Sequence, residues 1–123
     1  MSNAPNANIV IMKYALVTGG SSGIGKNIAL KIALDHGYHV LVNYLQNQTA
    51  ADEAVARITE SGGSAEVIQF DVTDKNEVES KLNSWAKANN DSPIEVVVNN
   101  AGLIKDEMLL FMEEEKWDSV LDV

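Results

Sequence analysis

Along this chain, short apolar runs alternate with longer segments in which apolar residues recur every three or four positions. Ile9 to Thr18, His39 to Asn43, Ala65 to Phe70 and Ile94 to Asn99 are rich in Val, Ile and Leu. Such unbroken runs predict strands covered on both faces, since a half-exposed strand would alternate apolar with polar. Between the runs the spacing predicts three helices. In the first, Ile24, Ile28 and Ile32 form one stripe with Lys31 and Asp35 off it. The second spans about Thr49 to Glu60 and is stopped by Gly62-Gly63. In the third, Asp74 is a cap with Glu77 three residues on. Val78, Leu82 and Trp85 then recur at i, i+4 and i+7 before Asn89-Asn90 and Pro93 end the helix. A further helix starts at Glu113 to Lys116, with Trp117, Val120 and Leu121 as its stripe. Strands alternating with amphipathic helices predict an α/β chain in which parallel strands are joined by crossover helices.

Length and composition leave room for one domain. The chain has 123 residues, 46% of them apolar, enough to fill one core. Residues 1 to 8, MSNAPNAN, are small, polar and without periodicity, so they are expected to be a flexible leader and residues 9–123 the fold. Eighteen acidic against nine basic residues give a charge of −9, which opposes attraction to nucleic acid or an anionic membrane. No apolar run approaches the roughly 18 residues of a membrane span, and the first residues lack the charged and apolar regions of a secretory signal. A cytoplasmic protein is expected. Cysteine is absent and the two histidines are His36 and His39, so no metal centre is expected. Both histidines read as surface turn residues.

The stretch ALVTGGSSGIGKN, Ala15 to Asn27, sets its glycines between the first strand and the first helix. Three chemistries use glycines there. Gly19 to Gly23 fits the nucleophile elbow G-x-S-x-G, Gly20 to Lys26 fits most of a P-loop, and Gly19, Gly23 and Gly25 fit a dinucleotide turn. An elbow serine needs an acid and then a histidine later in the chain, and His36 and His39 come too early. A P-loop places Ser or Thr after its lysine to ligate magnesium; Asn27 stands there, although its carboxamide with Asp71 would make a passable ligand pair. The dinucleotide reading uses all three glycines. Gly19 lets the chain leave the strand sharply, Gly23 lets backbone approach a pyrophosphate, and Gly25 lets the helix pack tightly. The phosphates would lie at the positive end of the helix, with Ser21 and Ser22 adding hydroxyl donors. A glycine-rich turn with no ligand fits the same residues, so the turn alone does not fix a function.

Two further segments change that. TGGSSGIG at Thr18 to Gly25, Asp71-Val72 after the third strand and NNAG at Asn99 to Gly102 after the fourth together resemble the short-chain dehydrogenase/reductase family in type, order and spacing. The resemblance runs from about Ile11 to Val123, and GLIKDEMLLFMEEEKWDSVLDV looks like its 3-oxoacyl-acyl-carrier-protein reductases. It implies a Rossmann-like, doubly wound parallel sheet with strand order 3-2-1-4, incomplete beyond the fourth strand. It also implies that Gly19, Ser21, Ser22, Gly23, Ile24 and Gly25 surround a pyrophosphate and that Asp71 and Val72 meet the adenine. Asp71 equally suits the start of the DVTD turn and a cap for the next helix. Asn99 and Asn100 would tie neighbouring strands together, with Asn100, Ala101 and Gly102 lining a ribose.

The second strand ends VLVNY, so Asn43 and Tyr44 stand where an acid would hold the ribose 2′-OH and repel a 2′-phosphate. NADP(H) is therefore expected as cofactor, with NAD left open because no Arg or Lys lies between Lys31 and Arg57. The family donates its proton from a Tyr-x-x-x-Lys pair. Tyr14, Tyr38 and Tyr44 are followed four places on by Thr18, Val42 and Gln48, so no catalytic residue is assigned within the chain. The expectation is the first half of a reductase that acts, at full length, on a 3-oxoacyl group carried as an acyl-carrier or CoA thioester. An open fourth-strand edge and the family's dimer helices imply a homo-oligomer. The rival is a non-catalytic nucleotide-binding or oligomerising module ending at Val123; a P-loop nucleotide hydrolase is the other alternative.

Overall fold

The computed structural model describes residues 12–100. Its elements are β1 (Tyr14–Thr18), α1 (Gly23–His36), β2 (His39–Tyr44), α2 (Gln48–Glu60), β3 (Ser64–Gln69), α3 (Lys75–Ala88) and β4 (Ile94–Asn99). The strands form one parallel sheet in the order β3-β2-β1-β4, the order the sequence predicts. Only β1 starts markedly later than its apolar run; Ile9 to Ile11 lie outside the described residues and Met12 is half exposed.

Strand alternation then divides the core into two layers. Ala15, Val17, Val40 and Val42 cluster with Ala29 and Ala33 of α1 and with Ala51, Ala54 and Ile58 of α2. Leu16, Leu41 and Ile94 cluster with Val78, Leu82 and Trp85 of α3 and with Phe70.

The first helix departs from the expected stripe. Ile24 is 71% exposed, and the buried residues of α1 are Gly25, Ala29 and Ala33, at i, i+4 and i+8. Small side chains let the helix axis approach the sheet, and the bulkier Ile28 and Ile32 then pack from its flanks. In α3 the cap is as expected, with the Asp74 carboxylate accepting from the Glu77 N–H at 3.1 Å. The Glu77 side chain does not return to its cap. Its carboxylate accepts from the Asp71 N–H at 2.7 Å and so closes the loop between β3 and α3. After α3 the chain turns through left-handed backbone at Asn90 and Asp91, φ 60° and 57°, which these two residue types bear better than most.

His39 is not a surface turn residue. It opens β2 with its side chain 14% exposed, and its Nε2 lies 2.8 Å from Glu66 Oε2. A carboxylate only accepts, so in the neutral ring Nε2 carries the proton and Nδ1 accepts from the Ser64 hydroxyl. Glu66 also accepts from Trp85 Nε1 at 3.2 Å, and the Tyr14 ring stands edge-on to both His39 and Trp85. The hydrogen bond from His39 leads the causes that hold the Glu66 carboxyl below its ordinary value, against the opposing effect of burial. A depressed carboxyl contributes stability above its unfolded pKa and loses it as pH falls through the folded value. Glu66→Gln should therefore flatten the acid limb of the stability profile below about pH 4.5, measured by urea denaturation across pH. The effect should stay under about 1 kcal/mol, because the carboxylate keeps much of its surface in water.

Candidate functional site

At the carboxyl ends of the strands, the turn from β1 to α1 is held closed by its own atoms. Gly19 has φ 62°, a left-handed conformation in which a side chain would be strained. Ser22 caps α1, accepting from the Gly25 N–H at 3.0 Å and donating its hydroxyl to the Gly19 carbonyl at 3.0 Å. From the end of β4, Asn100 Nδ2 donates to that carbonyl and to Ser22 Oγ, each at 3.0 Å. The end of β4 is thus fastened to the turn. Thr18 adds to the same junction, its hydroxyl 3.3 Å from the Val98 carbonyl and 3.4 Å from Asn99 Oδ1.

The glycines differ in what surrounds them. A Cβ at Gly25 would stand 2.2 Å from the Gly19 carbonyl oxygen and 2.5 Å from Asn100 Nδ2, so the tight packing is of the helix on its own turn. One at Gly23 would meet nothing within 4 Å, so open space remains beside the first turn of the helix. Gly20 entered the sequence reading only as the first glycine of the P-loop alternative and had no role in the dinucleotide turn. Its Cβ would stand 2.9 Å from a methyl of Val42, and its N–H donates to the Asn43 carbonyl at 3.0 Å. The adjacency of two glycines directly after a buried strand was the available sign.

Beside this turn is a cavity of about 120 Å³ lined by Gly19, Ser21, Asn43, Tyr44, Leu45, Phe70, Asp71 and Val72. Sites for a whole ligand run to roughly 300 Å³ or more, so this is one subsite, suited to a single ring system. Asp71 is the one charged residue in its lining. Its Oδ1 accepts from the Thr73 hydroxyl at 2.7 Å and the Thr73 N–H at 2.9 Å. The hydroxyl bond leads the causes that hold this carboxyl below its usual range, so it is ionised at neutral pH. The cap of α3 belongs to Asp74, which leaves Asp71 to the turn and the cavity.

Asn43 faces inward and is only 2% exposed. Its Oδ1 accepts from the Gly19 N–H at 3.2 Å, while Nδ2 lies 3.1 Å from the Phe70 carbonyl and 3.3 Å from that of Ile68. Of the expected site residues, Gly19, Ser21, Asn43, Asp71 and Val72 line this cavity, while Ser22, Gly23, Gly25 and Asn100 belong to the adjoining turn and the start of α1. Ile24 is exposed at the start of α1, and Ala101 and Gly102 lie outside the described residues. Among the described residues, no three His, Asp or Glu are placed to hold a metal ion, and no helix is long and apolar enough to cross a membrane.

Comparison with known proteins agrees with this geometry. Residues 13–123 match the family model described as short chain dehydrogenase. The chain is 45% identical over 111 residues to a 3-oxoacyl-[acyl-carrier-protein] reductase of Synechocystis, covering 90% of this chain and 44% of that protein. It is 40% identical over 110 residues to the reductase of the same name from Staphylococcus aureus, covering 89% and 44%. A solved dehydrogenase/reductase from Sinorhizobium meliloti superposes with a TM-score of 0.65 at 33% identity, over 74% of this chain and 35% of that one. The chain thus spans less than half the length of the relatives it matches.

Proposed function

This chain belongs to the short chain dehydrogenase family, and we propose that it is the NADP(H)-binding portion of an oxidoreductase that reduces a 3-oxoacyl thioester to the 3-hydroxyacyl thioester. The observation that carries the proposal is the closed glycine turn beside a ring-sized crevice. Gly23 leaves space at the amino end of α1, where free N–H groups and the helix dipole favour a diphosphate. Ser21 and Ser22 flank it, and the ionised Asp71 in the lining of the crevice is suited to accept from the exocyclic amine of an adenine.

When bound, NADP(H) supplies the hydride. The chain's own residues bind and orient it: the turn holds the diphosphate, the walls from Tyr44 to Leu45 and Phe70 to Val72 hold the adenosine, and Asn100 keeps the turn in register with β4. The missing acid at the end of β2 favours NADP over NAD. Within these 123 residues no tyrosine is followed four places on by lysine, so the proton donor of the family is not supplied here.

Cofactor titration followed by a turnover assay tests both halves. NADPH should bind more tightly than NADH, by quenching or calorimetry. No steady oxidation of NADPH should follow addition of a 3-oxoacyl thioester. Equal or tighter binding of NADH would remove the NADP assignment, and sustained turnover would show that this chain carries its own proton donor.

A further inference from the structure

Asn43 is buried at the end of β2 with both ends of its carboxamide engaged. The orientation is fixed by the partners: turned over, the oxygen would face the carbonyls of Ile68 and Phe70, and the amide would face the Gly19 N–H. Its own backbone carbonyl accepts from the Gly20 N–H at 3.0 Å, so Asn43 receives two successive N–H groups of the glycine turn. On the other side its Nδ2 grips the end of β3, next to Asp71 and Val72. One side chain joins the turn to the opposite wall of the crevice.

Resting on the dinucleotide reading above, we infer that Asn43 is a positioning residue that sets the span between the diphosphate turn and the adenine wall, without donating a hydrogen bond to the cofactor. Asn43 lines the crevice but is only 2% exposed, and its carboxamide hydrogens are taken by the carbonyls of Tyr44, Ile68 and Phe70, so none is left to offer a ligand. The span matters only to a ligand that occupies both subsites. A probe confined to one of them is indifferent to it.

The test compares three probes on the 123-residue chain and on Asn43→Leu, which keeps the branched shape and heavy-atom count and loses the side-chain hydrogen bonds. NADPH spans both subsites, AMP reports the adenine wall, and inorganic pyrophosphate reports the turn. Asn43→Leu should weaken NADPH about tenfold or more, while AMP and pyrophosphate each change by less than about threefold. Asn43→Thr, whose hydroxyl retains one donor and one acceptor, should fold where leucine does not and should recover part of the NADPH affinity. Equal weakening of all three probes, in step with a fall in melting temperature, would reduce Asn43 to a structural role and overturn the inference. Loss confined to NADPH and AMP would overturn it in favour of direct contact with the adenosine. A threonine variant no better than leucine would show that the hydrogen bonds are not the cause. Failure of the unsubstituted chain to bind NADPH would remove the dinucleotide reading itself, an outcome visible before any variant is made.

Discussion

Gly25→Ala is expected to destabilise the fold by about 3 kcal/mol and to abolish NADPH binding. The added Cβ would lie 2.2 Å from the carbonyl oxygen of Gly19 and 3.0 Å from its carbonyl carbon. Both atoms are backbone, so no side-chain rotation relieves the clash. Either α1 lifts from the turn or the turn opens, and in both cases the bonds from Gly25 to Ser22 and from Asn100 to Gly19 are lost. Gly23→Ala is the informative comparison, because its Cβ meets no protein atom within 4 Å. That variant should melt like the parent and still lose NADPH, since on the proposed function the methyl fills the space assigned to the diphosphate. Urea denaturation and NADPH titration on both variants separate the two effects. Native stability in Gly25→Ala would mean that the turn is looser than its contacts require.

Trp85→Ala should lower unfolding free energy by about 3 to 5 kcal/mol, the usual cost of emptying a buried aromatic site. Whole domains hold only about 5 to 15 kcal/mol, so this variant should be close to unfolding at room temperature. The indole packs among Leu16, Leu41, Leu82 and Ile94 on the α3 side of the sheet and stands 4.8 Å from the Tyr14 ring. Trp85→Phe keeps most of that packing and removes the N–H that Glu66 accepts. Its cost should be nearer 1 kcal/mol, because water can replace the donor at a half-exposed carboxylate. Far-UV circular dichroism during urea titration distinguishes the two. Equal losses in both variants would assign the role of Trp85 to its hydrogen bond.

Much of this architecture was legible in residue order. Four apolar runs and three amphipathic stretches gave the strands and helices, and glycines at the strand ends gave the crevice. What escaped was set by tertiary distance. In α1 the large residues dominate any hydrophobic pattern, yet close approach to the sheet selects Gly25, Ala29 and Ala33, so the true contact face reads as weakly apolar. His39 looked like a turn residue because its partners, Ser64 and Glu66, are supplied by a strand 25 and 27 residues away. For Asn43, residue order gave its place at the end of β2 beside the crevice, but its carboxamide bonds to Ile68 and Phe70 depend on the register of β2 with β3. Gly20 had no part in the dinucleotide reading because its constraint comes from Val42 across the sheet.

The order β3-β2-β1-β4 also bears on how the chain acquires its structure during synthesis. β1 is made first among the strands and meets β2 early, but its other neighbour is β4, and Thr18 pairs with Asn99 across 81 residues. Pairing at that separation requires the largest loop closure in the sheet and comes late. Until residues 94–99 emerge from the ribosome, one side of β1 is an unsatisfied edge made of Ala, Leu and Val, the kind of surface that chaperones bind and that nascent chains aggregate through.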